Sequence, residues 1–245
     1  MAPDRVHPPR PQPHRGGWPR WPRPCLLCGA WNRQGLCSAC QSRFVASEPP
    51  HCPHCALPSA SGLRCGACLR DPPPFSHCVA LAGYGFPWDR LIARFKFQDQ
   101  PELAALLADL LDQAVARASL PAVDAVLPVP LSPARLAERG YNQAWELARR
   151  LAARRGLPAE ADLLRRLRDT PHQVGLTRAQ RERNLRDAMW VDPAAAASIS
   201  GRHLALVDDV LTTGATAIAA TQALRAAGAA SVQVWVLART ALPGP

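Results

Sequence analysis

Eight of the nine cysteines in this 245-residue chain fall into four Cys-x-x-Cys pairs: Cys25/Cys28, Cys37/Cys40, Cys52/Cys55 and Cys65/Cys68. Each pair turns two thiolates toward one point, and two pairs complete a tetrahedron of sulfur around Zn2+. The segment they occupy, residues 25–70, carries few large apolar side chains and cannot fold on a hydrophobic core alone. Metal ligation would supply the missing folding free energy, on the order of 10 kcal/mol per site. Four closed pairs leave no open coordination position, which makes two Zn2+ sites structural rather than catalytic. The halves 25–40 and 52–68 form an approximate repeat, each a knuckle, a short spacer and a second knuckle. Sequential pairing within each half gives a double zinc ribbon and is preferred, because each spacer then closes a short hairpin. An interleaved cross-brace is the alternative. His51 and His54 flank the third knuckle as decoration. No βαβ unit surrounds the pairs, which argues against thioredoxin-like redox chemistry. The ninth cysteine, Cys78, reads as a small buried apolar residue.

Around this module the chain divides. Residues 1–24 are rich in proline and arginine and are expected to be a disordered tail, either a basic arm that touches nucleic acid or a dispensable extension. Residues 71–77, Asp-Pro-Pro-Pro-Phe-Ser-His, read as a stiff linker. From residue 78 to 245 the pattern alternates between strands and helices. Strands are expected at 79–84, 125–129, 204–207 and 232–237. Helices are expected at 88–97, 101–118, 141–155 and 215–227. That order predicts an α/β domain with a mostly parallel sheet flanked by helices. Hydrophobic residues make up 48% of the chain, enough for a sizeable core. No window approaches 18 uninterrupted apolar residues, so no membrane insertion is expected. Met1-Ala2-Pro3-Asp4-Arg5 opens no apolar stretch of the secretory kind. The protein is therefore expected to be soluble and cytoplasmic.

The formal net charge is +10, leaning to the first 80 residues, which hold nine Arg against three acids. Eight thiolates and two Zn2+ would reduce +10 to +6, which still favours acidic partners such as phosphates or nucleic acid. Lys96 is the only lysine in the chain. An ammonium is a compact point charge and a guanidinium a planar fork, so the two differ at a tight phosphate site.

The most informative stretch is Leu204-Ala-Leu-Val-Asp208-Asp209-Val-Leu-Thr212-Thr213-Gly214-Ala215-Thr216. An apolar strand ends in two carboxylates, a hydroxyl-rich turn follows, and a helix begins after Gly214. Ligands of parallel sheets sit at the carboxyl ends of strands. The turn aims backbone N–H groups and hydroxyls at an anion beside the positive end of a helix dipole. Gly214 permits close approach of a phosphate. Asp208 and Asp209 can accept from two vicinal ribose hydroxyls and place negative charge where an oxocarbenium-like cation would develop. Neither a Walker A loop nor a Rossmann glycine spacing occurs.

This stretch closely resembles the signature of type I phosphoribosyltransferases. The resemblance widens with Tyr84-Gly-Phe-Pro-Trp-Asp-Arg-Leu-Ile-Ala-Arg-Phe-Lys96-Phe, Pro128-Val129-Pro130-Leu131, Arg139-Gly140-Tyr141-Asn142-Gln143, Thr170-Pro-His-Gln173-Val-Gly-Leu176 and Arg181-Glu-Arg-Asn184. In this order they resemble the ComF family of competence proteins, from about Cys25 to Arg239. Met189-Trp190 departs mildly, standing where that family has Ala-Phe. The resemblance implies an N-terminal zinc ribbon, a type I phosphoribosyltransferase fold and a site for 5-phosphoribosyl-1-pyrophosphate. In that site the loop at Val129 and Pro130 would face the pyrophosphate. Arg139, Gly140, Asn142 and Gln143 would donate to phosphate oxygens or close over the site, and Gln173, Arg181 and Asn184 would line the acceptor side. Mg2+ would be held mainly by the ligand's own oxygens. The resemblance also implies a role in uptake or processing of single-stranded DNA during natural transformation, with competence-machinery proteins as partners. The alternative is an active phosphoribosyltransferase acting on an unidentified nitrogen acceptor in nucleotide metabolism.

Overall fold

The computed structural model describes residues 21–97, 100, 102–166 and 189–241. The two cysteine halves repeat each other in detail. In the first, β1 (Arg23–Pro24) pairs antiparallel with β2 (Trp31–Asn32), and the second knuckle opens α1 (Ser38–Gln41). In the second, the second knuckle opens α2 (Gly66–Arg70). Cys37 and Cys65 cap these two helices with nearly the same backbone, φ −72°/ψ 160° and φ −71°/ψ 160°. Each also donates its backbone N–H to the first sulfur of its own half, Cys37 to Cys25 Sγ at 3.4 Å and Cys65 to Cys52 Sγ at 3.3 Å.

The remaining elements follow in order. They are β3 (His77–Gly83), α3 (Trp88–Phe97), α4 (Leu103–Arg117), β4 (Ala125–Pro128), α5 (Pro133–Arg139), α6 (Gln143–Arg155), β5 (Arg165–Arg166), β6 (Met189–Trp190), β7 (His203–Leu211), α7 (Ala215–Ala226) and β8 (Ser231–Arg239). The main sheet runs β3-β8-β7-β4, and every neighbouring pair in it is parallel. β5 and β6 form a separate antiparallel pair.

Alternation along the strands distributes the core. Val79 and Leu81 of β3, Val126 of β4 and Trp235 and Leu237 of β8 join Phe95, Leu107, Leu111, Leu147 and Leu151 from α3, α4 and α6. Leu127, Leu204, Leu206 and Val232 face Ala219, Ala220 and Leu224 of α7 on the other side. The buried face of α7 is mostly alanine, which lets the helix lie close to the sheet.

β3 is an edge strand, and each ribbon contributes buried residues to the cluster on one of its faces. Leu36, Cys25 and Cys40 of the first ribbon belong to the cluster of Val79 and Leu81. Ala56 of the second ribbon and Phe75 of the linker belong to the cluster of Cys78 and Ala80. The backbone is also engaged: Cys78 N–H donates to the Pro53 carbonyl at 3.0 Å, and Gly83 N–H to Glu48 Oε2 at 3.1 Å. An edge that would otherwise invite pairing with another chain is thereby occupied.

The structure revises two sequence expectations. The strand expected at 204–207 continues to Leu211, because β7 keeps pairing with β8 (Asp208 opposite Val236, Val210 opposite Ala238) after β4 has stopped at Pro128. The helix expected from Tyr141 starts at Gln143, with Asn142 as its cap, and a further short helix, α5, precedes it.

Candidate functional site

All four strands of the sheet point their carboxyl ends the same way, and Asp208, Asp209 and the following turn lie at that end. Lys96, in the last turn of α3, places Nζ 2.6 Å from Asp209 Oδ1, with both side chains mostly buried. Asp209 N–H donates to Asp208 Oδ1 at 2.8 Å. Burial, and next the neighbouring Asp209 carboxylate, push Asp208 up from its ordinary 3.8 to about 7. The Asp209 backbone N–H and the positive charges of Lys96 and Arg166 act against that rise. The pair therefore differs in chemistry: Asp209 is matched by a cation at contact distance, and Asp208 sits near the midpoint of its titration at neutral pH.

The turn follows directly. Thr212 and Thr213 are exposed and Gly214 is buried. Gly214 stands at the amino end of α7 with φ +83°, a left-handed conformation that an L residue adopts only with strain. Gly214, the cap residue of α7, has no side chain with which to cap it. Thr213 Oγ1 accepts from Ala215 N–H at 3.3 Å. Thr216 lies one residue further into the first turn of the helix, partly exposed. A helix amino terminus with uncapped N–H groups, a glycine and hydroxyls suits an anion.

The segment from Arg139 to Gln143 supports this arrangement from the side. Gly140 closes α5 in a left-handed conformation, φ +73°. Asn142 caps α6, its Oδ1 accepting from Ala144 N–H at 2.9 Å and Trp145 N–H at 3.3 Å. Its Nδ2 donates to the Val129 carbonyl at 3.2 Å, which ties the loop after β4 to α6. Val129 and Pro130 are buried, and Val129 N–H donates to the Val207 carbonyl at 2.8 Å, one residue before the acidic pair. Gln143 is 1% exposed; it donates to the Lys96 carbonyl at 3.5 Å and accepts from Arg139 Nη1 at 3.2 Å. Tyr141 donates its hydroxyl to the Phe95 carbonyl. Tyr141 and Gln143 thus satisfy carbonyls at the end of α3, which an isolated helix leaves unpaired, and so fix the turn that carries Lys96. The guanidinium of Arg139 lies over the Phe97 ring at 5.1 Å.

The structure brings Lys96, Asp209, Gln143 and Arg139 into one connected series and sets Asn142 and Val129 beside it. Gln173, Arg181 and Asn184 lie outside the described residues. Two contributors carried no signal of their own in the sequence reading. Tyr141 lies within the Arg139–Gln143 motif, but its residue type alone points to no role there. Arg239, the last residue of β8, was unmarked, although its buried guanidinium donates to the carbonyls of Leu211, Thr212 and Thr240 around the turn.

The eight paired cysteines form two groups, Cys25/Cys28/Cys37/Cys40 and Cys52/Cys55/Cys65/Cys68, with the sulfurs of each within 4.8 Å of one another. A tetrahedron with Zn–S bonds of about 2.3 Å sets its sulfurs roughly 3.8 Å apart, and Cys28–Cys37 and Cys55–Cys65 are each 3.6 Å apart. Burial opposes ionisation of Cys25 and Cys52, but backbone N–H groups outweigh it and hold them down at about 6 and about 7. Burial and neighbouring sulfurs push Cys40 and Cys68 up. Four sulfurs this close cannot all ionise without a cation among them, which fits Zn2+. The pairing is sequential, as the ribbon reading preferred.

Residues 20–69 match the double zinc ribbon domain family, and residues 137–241 match the phosphoribosyl transferase domain family. The chain is 38% identical over 224 residues to the DNA utilization protein YhgH of Salmonella typhi, covering 88% of this chain and 96% of that one. It is 37% identical over 212 residues to Competence protein F of Haemophilus influenzae, covering 84% and 91%. Against Competence protein ComFC of Bacillus subtilis the identity is 26% over 237 residues, covering 88% and 95%. No helix among the described residues is long and apolar enough to cross a membrane.

Proposed function

Because this chain belongs to the ComF family of competence proteins, a double zinc ribbon joined to a phosphoribosyltransferase domain, we propose that it binds 5-phosphoribosyl-1-pyrophosphate with Mg2+ and acts in the handling of single-stranded DNA taken up by the cell. One observation carries the ligand: Asp208 and Asp209, with Lys96 at 2.6 Å from Asp209, stand immediately before the Thr212–Thr216 turn at the amino end of α7. In this reading the two carboxylates accept from vicinal ribose hydroxyls. The turn takes a phosphate on N–H groups and hydroxyls, and the loop at Val129 and Pro130 faces the pyrophosphate. Arg139 and Gln143 hold the α3 turn that presents Lys96, and Asn142 holds the loop. Mg2+ would be carried by the ligand's pyrophosphate and ribose oxygens and would neutralise the leaving group.

The DNA role is supported by relatives named for DNA utilization and for competence, matched over nearly their whole length, and by the net positive charge. Calorimetric titration of phosphoribosyl pyrophosphate with Mg2+ into zinc-loaded protein tests the ligand. Binding is expected in the parent and lost in Asp208→Ala/Asp209→Ala; a folded parent that binds nothing removes the reading. Retention of a labelled single-stranded oligonucleotide across a salt series tests the other half, the expected result being affinity that falls log-linearly with salt.

A second reading, turnover, is favoured by Asp208. A carboxyl pushed up to about 7 by burial is matched to proton transfer at neutral pH, and in this reading it would lie beside the reacting carbon. Pyrophosphate would leave C1 of the ribose and an acceptor nitrogen would take its place. Release of pyrophosphate in the presence of candidate nitrogen acceptors separates this from binding alone.

A further inference from the structure

The buried guanidinium of Arg239 is shared between two places far apart in sequence. Its Nε donates to the carbonyl of Cys55, in the first knuckle of the second ribbon, at 3.0 Å. Its Nη1 donates to the carbonyls of Leu211 at 2.9 Å and of Thr212, where β7 gives way to the turn. Arg239 is 5% exposed, so little water reaches these contacts. One further contact, through Ala56, joins the same knuckle to the same place, and two hydrogen bonds fix its surroundings. Pro53 accepts from Cys78 N–H at 3.0 Å. Ala56, 0% exposed, shares an apolar cluster with Leu211 and with Ala217 of the first turn of α7. Thr240 N–H donates to the Leu211 carbonyl at 3.1 Å beside Arg239. The first ribbon has a different position: its buried residues join the cluster on the α3, α4 and α6 face.

We infer that the second ribbon's zinc site is a working part of the phosphoribosyl site, with Arg239 as the positioning residue that transmits the order of the metal-bound knuckle to the turn at residues 211–216. A Cys-x-x-Cys knuckle without its metal has too little apolar contact to hold its shape. The Cys55 carbonyl then no longer fixes one arm of the guanidinium, and a buried Arg that loses an acceptor shifts to recover one. The groups it would release are the carbonyls that define where the turn begins. Among the described residues no hydrogen bond runs from the first ribbon to this turn.

This inference rests on the phosphoribosyl reading for its ligand but not for its geometry, and the test keeps the two apart. In full-length protein, zinc content, amide hydrogen exchange at labelling times of seconds, and calorimetry with phosphoribosyl pyrophosphate and Mg2+ would be compared for the parent, Cys65→Ser, Cys28→Ser, Arg239→Met and Arg239→Lys. Cys65→Ser should lose one zinc and speed exchange at residues 212–216 while residues 204–207 stay protected. Its affinity should fall about tenfold or more, the loss expected when a charged hydrogen bond goes. Arg239→Met should keep both zincs and show the same loosening of the turn, and Arg239→Lys should fall between it and the parent. Cys28→Ser should lose the other zinc and leave the turn and the affinity within about twofold of the parent. Unchanged turn exchange in demetallated Cys65→Ser overturns the link, and so does equal loosening in Cys28→Ser or fast exchange spread through β7 and β8. A parent that binds no phosphoribosyl pyrophosphate yet loosens its turn in Cys65→Ser removes the ligand reading and leaves the link standing.

Discussion

Asp208 and Asp209 are adjacent acids with opposite surroundings, and two predictions follow from the difference. The Asp208 carboxyl is raised from 3.8 to about 7, chiefly by burial and then by Asp209. Below pH 4 it is protonated folded or unfolded and costs nothing. Between pH 4 and 7 the unfolded chain ionises it freely while the folded protein holds the proton, so this group's contribution to stability falls as pH rises and its full cost is present above pH 7. Asp208→Asn should therefore gain stability over the parent at pH 8, by about 1–2 kcal/mol once partial solvent screening is allowed for, and gain little at pH 4.5. Urea unfolding at both values checks the sign. If ribose hydroxyls need the carboxylate, ligand binding at pH 7 should release about half a proton, visible as a buffer-dependent calorimetric enthalpy, and affinity should rise from pH 6 to 8. Lys96 supplies the second prediction. Replacing it with Met leaves Asp209 mostly buried without its cation, and the affinity for phosphoribosyl pyrophosphate should fall about 10- to 100-fold, the value of one charge-assisted contact. Lys96→Arg should restore little, because a planar fork does not occupy the position of a point charge. Its place beside the acidic pair was foreshadowed by composition alone, as the single lysine among 29 basic residues. Arg239 could not be found that way: it is one of many arginines, and its partner Cys55 lies 184 positions away.

Elements were legible where local chemistry decides them. The 3.6-residue spacing of Trp88, Leu91, Ile92 and Phe95 gave α3 its observed limits, since all four are buried. The turn after Leu211 was legible through Gly214. The true end of β7 was not, because it is set by pairing with β8, a tertiary fact with no trace in the residues themselves. The sequence places Asn142 in a segment expected to donate to phosphate oxygens or to close over the site; in the structure its side chain also caps α6 and holds Val129, a use legible only once α5 is known to end at Gly140. Gly214 and Gly156 provide a test at this scale. Both adopt left-handed φ, +83° and +66°, and a Cβ at Gly214 would meet only Ile218 Cδ1 at 3.9 Å, with nothing within 4 Å at Gly156. Alanine at either position should cost stability through backbone strain of about 1–2 kcal/mol. Only Gly214→Ala, at the amino end of α7, should also weaken phosphoribosyl pyrophosphate. Equal binding by both variants would mean that the turn does not take the phosphate.

The whole molecule depends on zinc in a way that neither half implies. A parallel sheet of four strands has two open edges, and at β3 the ribbons add to the cover that α4 provides: Leu36 on one face, Ala56 on the other, and the Pro53 carbonyl and Glu48 carboxylate on the backbone. Chelation should therefore do more than melt residues 25–70. It should loosen the packing around Val79 and Leu81, which α4 still covers in part, and free the N–H groups of Cys78 and Gly83. A fully buried aliphatic side chain contributes about 1.5–3 kcal/mol, so uncovering this strand should cost the α/β domain on the order of 3 kcal/mol. For a chain of this size that lowers Tm by about 6–12 °C. The bared edge should also pair between molecules, so the apo protein is expected to scatter light in proportion to concentration at temperatures where the zinc-loaded protein stays clear. Differential scanning calorimetry with and without a chelator, beside light scattering, decides the matter. An apo protein with the parent's main transition and no scattering would mean that the sheet closes its own edge and that the ribbons are appended to it. A lowered transition with scattering would mean that the ribbons complete the sheet, and that any measurement at the phosphoribosyl site must begin by counting zinc.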